Sequence, residues 1–449
     1  MKTTTRRVSR RQAMVLGAAA GALPLVHIRT AGAAGKVKIA FWDHWVPGGN
    51  DIMKKQVEAW ATRNHVAVEA DFITGNGGKL QLTGVAESRA RAGHDVYTFY
   101  NWDVYNIHRY LQPVDDVMRT LIAQNGAVDP TAAYLAHVKG HWIGIPTSTG
   151  TQTKPPCARI SWMRAHGFDP VAAYPVKPEH TGAQDAWTYD LMLKLALEAK
   201  QDGMTFGMGC GGANNTDAID QVGAMFHAFG ANVADKSGKI LLDSAEVHAA
   251  MEYCTKLVKA LPAEAQAYDD ASNNRALISG KSALIFNPPS AWAVAKRDAP
   301  KVAADCWTFS APVGPAGRFV PTATFFWGIW QFSRNQTAAK ELVTYLMERK
   351  QVEARDNFVD GYDIPPYAGL LDFKVWETTS PPPGTVYNYP IRPWHHARSS
   401  LTASEADPDV AVQIYQSAMH TGMVARLKGG QSVKQVLAWA HDQIEGFMH

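Results

Sequence analysis

Between residues 37 and 100 the chain alternates short apolar runs with helical stretches, and this alternation restricts the fold more than any other feature. Val37 to Trp42 is rich in strand formers, a Pro-Gly-Gly loop follows, and in Asp51 to Asn64 the residues Ile52, Lys55, Gln56, Ala59 and Trp60 fall at helical spacing. Val66 to Phe72 repeats the strand signal, Gly75-Asn76-Gly77-Gly78 breaks it, Lys79 to Arg91 reads as a helix, and Asp95 to Tyr100 is a third strand. Such a pattern predicts an α/β fold with a mostly parallel sheet. Sheets of this type bind ligands outside the carboxyl ends of their strands. Two segments leave such ends: Phe41-Trp42-Asp43-His44-Trp45 and Tyr100-Asn101-Trp102-Asp103.

The first residues carry Lys2, Arg6, Arg7, Arg10 and Arg11 without an acid and then turn apolar from Ala13 to Val26. That is the layout of a cleaved export signal, with Ala31-Gly32-Ala33 as the small-residue cleavage site. The run is shorter than the roughly 20 residues a permanent membrane helix needs. Ser9-Arg10-Arg11-Gln12 resembles the twin-arginine signal, with Ala13 where Phe is usual. No cysteine follows the leader to take a lipid anchor, so the expected product is periplasmic and free. Removing residues 1–33 takes away six positive charges and no acid, moving the formal charge from +3 to −3. The remaining Lys and Arg are spread among acids, which argues against a nucleic-acid partner. The four cysteines, Cys157, Cys210, Cys254 and Cys306, allow three disulfide connectivities or buried free thiols.

More than 400 residues remain after the leader, beyond what one core usually supports, so two lobes are expected. The second begins after Gly144-Ile145-Pro146. There Thr188 is placed to cap a helix from Tyr189 to Lys200. Met204 to Gly207, Ala283 to Asn287 and Phe325 to Phe332 read as strands; Ala245 to Leu261, Thr337 to Arg349 and Val410 to Leu427 read as helices. Pro381-Pro382-Pro383-Gly384 reads as a surface loop.

Several stretches in order carry a family resemblance. Lys36-Val-Lys-Ile-Ala-Phe-Trp42 resembles an opening strand, Gly93-His-Asp95-Val-Tyr-Thr-Phe-Tyr100 through Tyr110-Leu-Gln-Pro113-Val-Asp115 a "pDvv…GlL.pld" segment, and Gly140-His-Trp-Ile-Gly-Ile-Pro146 a "gk.yGiP" segment. Ala186-Trp187-Thr188-Tyr-Asp190-Leu, Ser279-Gly280-Lys281-Ser282-Ala283 and Ala338-Ala339-Lys340-Glu341-Leu continue the series. Together they resemble the family 1 extracellular solute-binding proteins, the group of maltose- and glycerol-phosphate-binding proteins. The departures are Phe325-Phe326, where the family often has glycines, and Thr151 to Arg164, which lacks a clear "..lyyN" signature.

The resemblance implies a two-lobed, type II-like periplasmic-binding-protein fold whose hinge is crossed more than once. Its lobes would be residues 34–148 plus 307–351 and residues 149–306 plus 352–449, each a mostly parallel sheet flanked by helices. It also implies a monomer that captures a small ligand by closing and delivers it to the permease subunits of an ABC importer, without cofactor or metal.

Sugars present apolar C–H faces ringed by hydroxyls, so a sugar pocket needs flat aromatic surfaces beside carboxylates or amides. Trp42 with Asp43 and His44, and Trp102 with Asp103, supply these at two strand ends. The resemblance places Tyr100 and Asp103 at sugar-contacting positions, and Asn287 with Trp292 where relatives carry a stacking aromatic. Trp327, Tyr362 and Trp394 join the candidates because each neighbours a strand end or a Pro/Gly-rich turn. Core packing competes for every tryptophan, and for Trp60 and Trp439 it prevails.

Enzyme signatures are largely missing from the sequence. Neither G-x-S-x-G nor H-E-x-x-H occurs, and Gly280-Lys281-Ser282 lacks the upstream P-loop glycine because Arg275 stands there. Gly207-Met-Gly209-Cys-Gly-Gly212 fits G-x-G-x-x-G but opens no convincing helix. His395-His396 lacks metal-ligand spacing. Asp43 and Asp103 would serve a glycosidase only at a set separation. A neutral sugar ranks first as ligand, a glycerol-phosphate ester second and a polyamine third, since no basic cluster stands at the strand ends.

Overall fold

The structure is a computed structural model that describes residues 36–46, 48–175, 180–212, 215–286, 288–378 and 396–449. The expected leader, the Pro381–Gly384 loop and the candidates Asn287 and Trp394 lie outside the described residues. The elements that frame the site are, in chain order, β1 (Val37–Trp42), α1 (Gly49–Asn64), β2 (Val68–Ile73), α2 (Lys79–Ala90), β3 (Val96–Tyr100), α3 (Trp102–Asn106), β4 (Ile145–Thr153), β5 (Pro156–Arg159), β6 (Thr205–Gly207), α4 (Thr216–Ala228), β7 (Ser282–Phe286), α5 (Pro288–Asp298), β8 (Cys306–Thr308), β9 (Gly317–Ile329), α6 (Pro408–Gln416) and α7 (Met419–Lys428).

Two main sheets result. In the first, β2, β1 and β3 run parallel, β9 joins β3 antiparallel, and β4 joins β9 antiparallel. The second is ordered β8-β5-β7-β6, and only β6 and β7 are parallel. Both sheets are therefore mixed, which corrects the expectation of mostly parallel pairing in each lobe. The reason is the path of the chain: β4 carries it out of the first sheet toward β5, and β9 brings it back from β8, so these two long strands meet head to tail. Local strand–helix alternation records only the parallel β1–β3 unit. The direction of a returning strand is a long-range property.

β1 is buried at five of its six positions, as a central strand covered on both faces must be. Phe41, Trp60 and Trp327 pack into the core beneath it. Each large apolar side chain sealed there contributes about 1.5–3 kcal/mol. Thr188 caps its helix, its hydroxyl accepting the Leu191 N–H at 3.1 Å. The helix expected from Val410 to Leu427 is instead two, α6 and α7, because Ala418 takes a left-handed φ of 54° between them. Packing α6 on α3 and α7 on α4 outweighs continuity. All four cysteines are buried free thiols. Among the described residues no helix is long and apolar enough to cross a membrane.

α4 is buried along nearly its whole length. A helix enclosed on all sides usually carries apolar residues only, yet this one holds Asp217, Asp220 and Gln221. Buried polar groups require partners, and the partners these acids find define the site.

Candidate ligand cleft

A cleft lies at the carboxyl ends of β1 and β3, between them and the helices α4 and α6. From the first sheet it is lined by Trp42 at the end of β1, Tyr100 at the end of β3, and Asp103 on α3; Trp45, Gln81 and Phe325 stand beside them. The lining is completed by Lys154 just after β4, Asp217 on α4, Asp270, and Tyr415 and Gln416 at the end of α6.

The aromatic wall is built by close approach of backbone and rings. Trp42 lies 5.0 Å from Phe325 between ring centroids, and Phe325 lies 4.9 Å edge-on to Tyr100. Gly150 on β4 adopts φ +83°, and a Cβ there would meet Phe325 at 2.9 Å and Trp42 at 3.0 Å. Any other residue at that point would push both rings out of place.

The polar wall centres on Lys154, whose side chain is 1% exposed. Its ammonium lies 2.7 Å from Asp217, 2.8 Å from Asp220 and 3.0 Å from the Tyr100 hydroxyl oxygen. Burial alone would lower the Lys154 pKa; the acids Asp217, Asp220 and Asp270 outweigh it and hold the ammonium charged well above its ordinary value. The Tyr100 hydroxyl donates to Asp220 at 2.5 Å and the Tyr415 hydroxyl to the other Asp220 oxygen at 3.1 Å. Asp270 accepts from the Thr216 hydroxyl and the Asp217 N–H, each at 3.1 Å. Burial, reinforced by the Asp217 charge, pushes its pKa up to about 7.

Asp103 accepts from the side-chain amides of Gln81 at 2.9 Å and Gln416 at 3.2 Å, and burial pushes its pKa up to about 6 against the pull of those hydrogen bonds. An acid whose folded pKa exceeds its unfolded value of about 3.9 binds extra protons when folded, so its contribution to stability falls as pH rises from 4 to 6. Asp103→Asn keeps the acceptor oxygen and removes the titration. It should raise the unfolding free energy at pH 7.5 by about 1 kcal/mol, with the gain shrinking toward zero near pH 4. Urea unfolding of both proteins at the two pH values checks this; an equal difference at each would contradict it.

Other candidates lie elsewhere, and each correction has a local cause. Trp102 is fully buried with its indole N–H donating to the Thr402 carbonyl at 2.9 Å, because α3 turns it and Asp103 to different sides: Asp103 toward the cleft, Trp102 toward Tyr105 and Tyr134. Trp292 packs into a core cluster with Cys157, Leu277 and Ile285, its N–H donating to the Ala303 carbonyl, since α5 presents that face inward. Trp327 sits two residues deeper in the sheet than Phe325 and is covered edge-on by Phe41. Asp43 accepts from the side-chain amide of Asn50, in the first turn of α1, at 2.6 Å. The buried His44 ring accepts the Val46 N–H at Nδ1, which leaves Nε2 to donate to Asp363 at 3.2 Å. Tyr362 is buried behind Trp42, stacked at 6.3 Å and 14°. Trp42, Tyr100 and Asp103 are the candidates that line the cleft.

Sequence reasoning missed Lys154, Asp217, Asp270, Tyr415 and Gln416. Asp217 and Asp220 stand one helical turn apart in an otherwise apolar segment, a signal legible in principle. The others reach the site only through long-range packing.

Residues 55–381 match the family model described as bacterial extracellular solute-binding protein. No curated protein sequence matches. Among solved structures, maltose-bound MalE3 of T. maritima is similar, with a TM-score of 0.71 and 17% identity over 91% of this chain and 99% of its own. A sugar transporter from Arthrobacter chlorophenolicus with bound laminaribiose gives 0.70 and 16% over 92% and 99%. An ABC-transporter solute-binding protein from Thermotoga lettingae bound with α-D-tagatose gives 0.71 and 15% over 93% and 100%. At these identities the likeness establishes the two-domain fold. With the family model spanning well over half its length, the chain belongs to the bacterial extracellular solute-binding proteins.

Proposed function

We propose that this protein captures a sugar or oligosaccharide in the periplasm and delivers it to the permease subunits of an ABC importer, acting as a binder and not an enzyme. In this reading residues 1–33 are removed on export by the twin-arginine route. Residues 34–148 plus 307–351 and 149–306 plus 352–449 act as the two lobes that close on the ligand. The observation that carries it is the cleft itself: aromatic rings at the ends of β1 and β3 and on β9, and acid or amide groups on α2, α3, α4 and α6, converge on one space. Trp42 and Tyr100 would stack on or border a sugar's C–H face, and Asp103 would accept from its hydroxyls. A ligand touching both halves favours the closed form, which is the signal an importer reads. The sugars in the similar structures point the same way.

A phosphate ester is disfavoured on charge. Among the described residues lining the cleft the cation is Lys154, and it is already committed to Asp217 and Asp220.

A thermal-shift screen of sugars, polyols, phosphodiesters and polyamines tests the proposal. A sugar present at 100 times its dissociation constant should stabilise the protein by about 2.7 kcal/mol. Stabilisation by phosphodiesters alone, or release of product from a bound oligosaccharide, would refute it.

A further inference from the structure

We propose that His44 and Asp363 are positioning residues of the cleft: the pair fixes the Trp42 and Phe325 rings that border the ligand, and so sets its affinity. The proposal rests on the sugar-capture reading above. It starts from an interruption in β4. Thr147 stands opposite Phe325 and Gln152 opposite Ala323, so four residues of β4, 148 to 151, face the single Thr324 of β9. Such an excursion leaves the ladder, and its backbone groups must find partners elsewhere. The Gly150 N–H donates to an Asp363 carboxylate oxygen at 2.7 Å, and the Thr151 carbonyl accepts the Ile364 N–H at 2.7 Å. The Thr151 hydroxyl accepts the Phe325 N–H at 2.9 Å. Gly150 is also where β4 touches both rings, since a Cβ there would meet Phe325 and Trp42. A shift of this backbone is therefore a shift of the wall.

Asp363 does more than close the excursion. Its two oxygens also lie 3.2 and 3.3 Å from Nε2 of His44, and the side chains are sealed, 1% and 2% exposed. The His44 ring lies 4.9 Å from the Trp42 indole, and its own backbone N–H donates to the Asn50 side chain at 3.0 Å. Tyr362, the residue before Asp363, stacks on Trp42 and meets His44 edge-on at 5.2 Å. One carboxylate thus holds the backbone beneath two cleft-lining rings and the imidazole beside one of them. A neutral acceptor would satisfy Gly150, and sealing a charge is costly; the charge strengthens both hydrogen bonds at once. Arg355, whose charge reaches Asp363, donates to the Ser148 hydroxyl at 3.3 Å and steadies the other end of the excursion. Rings that border a ligand keep their geometry through a supporting layer of this kind.

Asp363→Asn probes the link directly: its oxygen can still accept from Gly150, while its amide meets the His44 Nε2–H donor to donor. Two measurements on the full chain test the proposal. One is calorimetric titration with D-glucose, D-galactose, D-mannose, maltose and cellobiose. The other is ¹⁹F NMR of protein carrying 5-fluorotryptophan, with the Trp42 resonance assigned by its loss in Trp42→Phe. Asp363→Asn and His44→Ala should each weaken the tightest-binding sugar by about ten-fold and shift the Trp42 resonance. The double variant should stay within about three-fold of either single one, because both remove the same link. His44→Gln, which keeps a donor for Asp363, should stay within about three-fold of the unaltered protein and restore the resonance. Thr188→Ala, a lost helix cap outside the cleft, lowers stability and should leave both readouts unchanged. Should Asp363→Asn fail to fold, His44→Ala against His44→Gln carries the test. Unchanged affinity or an unmoved resonance in His44→Ala, additive losses in the double variant, or a Gln variant as weak as the Ala one would overturn the positioning role and leave sugar capture standing. Binding of no sugar by the unaltered protein would count against the sugar reading, and the Trp42 resonance would then decide by itself whether the pair sets the ring.

Discussion

Lys154→Met should lower the unfolding free energy by about 3–5 kcal/mol at pH 7.5, because it strands two buried carboxylates without their counter-charge. Asp217 and Asp220 lie 2.7 and 2.8 Å from the ammonium, and Asp220 is sunk deeply enough that burial raises its pKa even with Lys154 beside it. Without the lysine Asp220 would titrate higher still. An acid with a raised folded pKa stabilises at low pH and loses that contribution as pH rises through it. The deficit of Lys154→Met should therefore shrink when unfolding is measured at pH 5, and adding Asp220→Asn should recover part of it at pH 7.5. A deficit independent of pH, or no recovery in the double variant, would show that packing of the lysine stem matters more than its charge.

Trp42→Ala is the second large effect, and it separates scaffold from ligand surface. The indole packs against Phe325 at 5.0 Å and Tyr362 at 6.3 Å and closes over Gly150. Its truncation should cost about 3–5 kcal/mol of stability by leaving a cavity in the aromatic wall. Trp42→Phe restores most of that volume and should return most of the stability. If the ring also borders the ligand, Trp42→Phe should still weaken sugar binding by about ten-fold, since the smaller ring covers less of a sugar face. Denaturant unfolding and calorimetry on the same preparations distinguish the two roles. Unchanged affinity in Trp42→Phe would confine Trp42 to the scaffold.

How much of this was legible beforehand differs from residue to residue. Trp42 and Tyr100 were found because strand ends are local: an apolar run that stops at a turn marks where its last side chains emerge. Asp103 followed from the same segment. Trp102 was misplaced because adjacent residues on a helix diverge by about 100°, so an indole and a carboxylate next to each other cannot share a face. Trp292 and Trp327 were misplaced because burial depends on what covers a position, and Cys157 and Phe41, which pack in their clusters, come from distant segments.

The sequence by itself determined the α/β class, the β1–β3 unit with its emergent aromatic and acidic side chains, and the family, because each is written in short-range periodicity or in motifs read in order. Tertiary structure alone decided the direction of β4 and β9, the meeting of Lys154 with Asp217 and Asp220, and the arrival of Tyr415 and Gln416 from the far end of the chain. The physical reason is that burial forces charged groups to find partners, and the partners available are fixed by how distant elements pack, which no local pattern encodes.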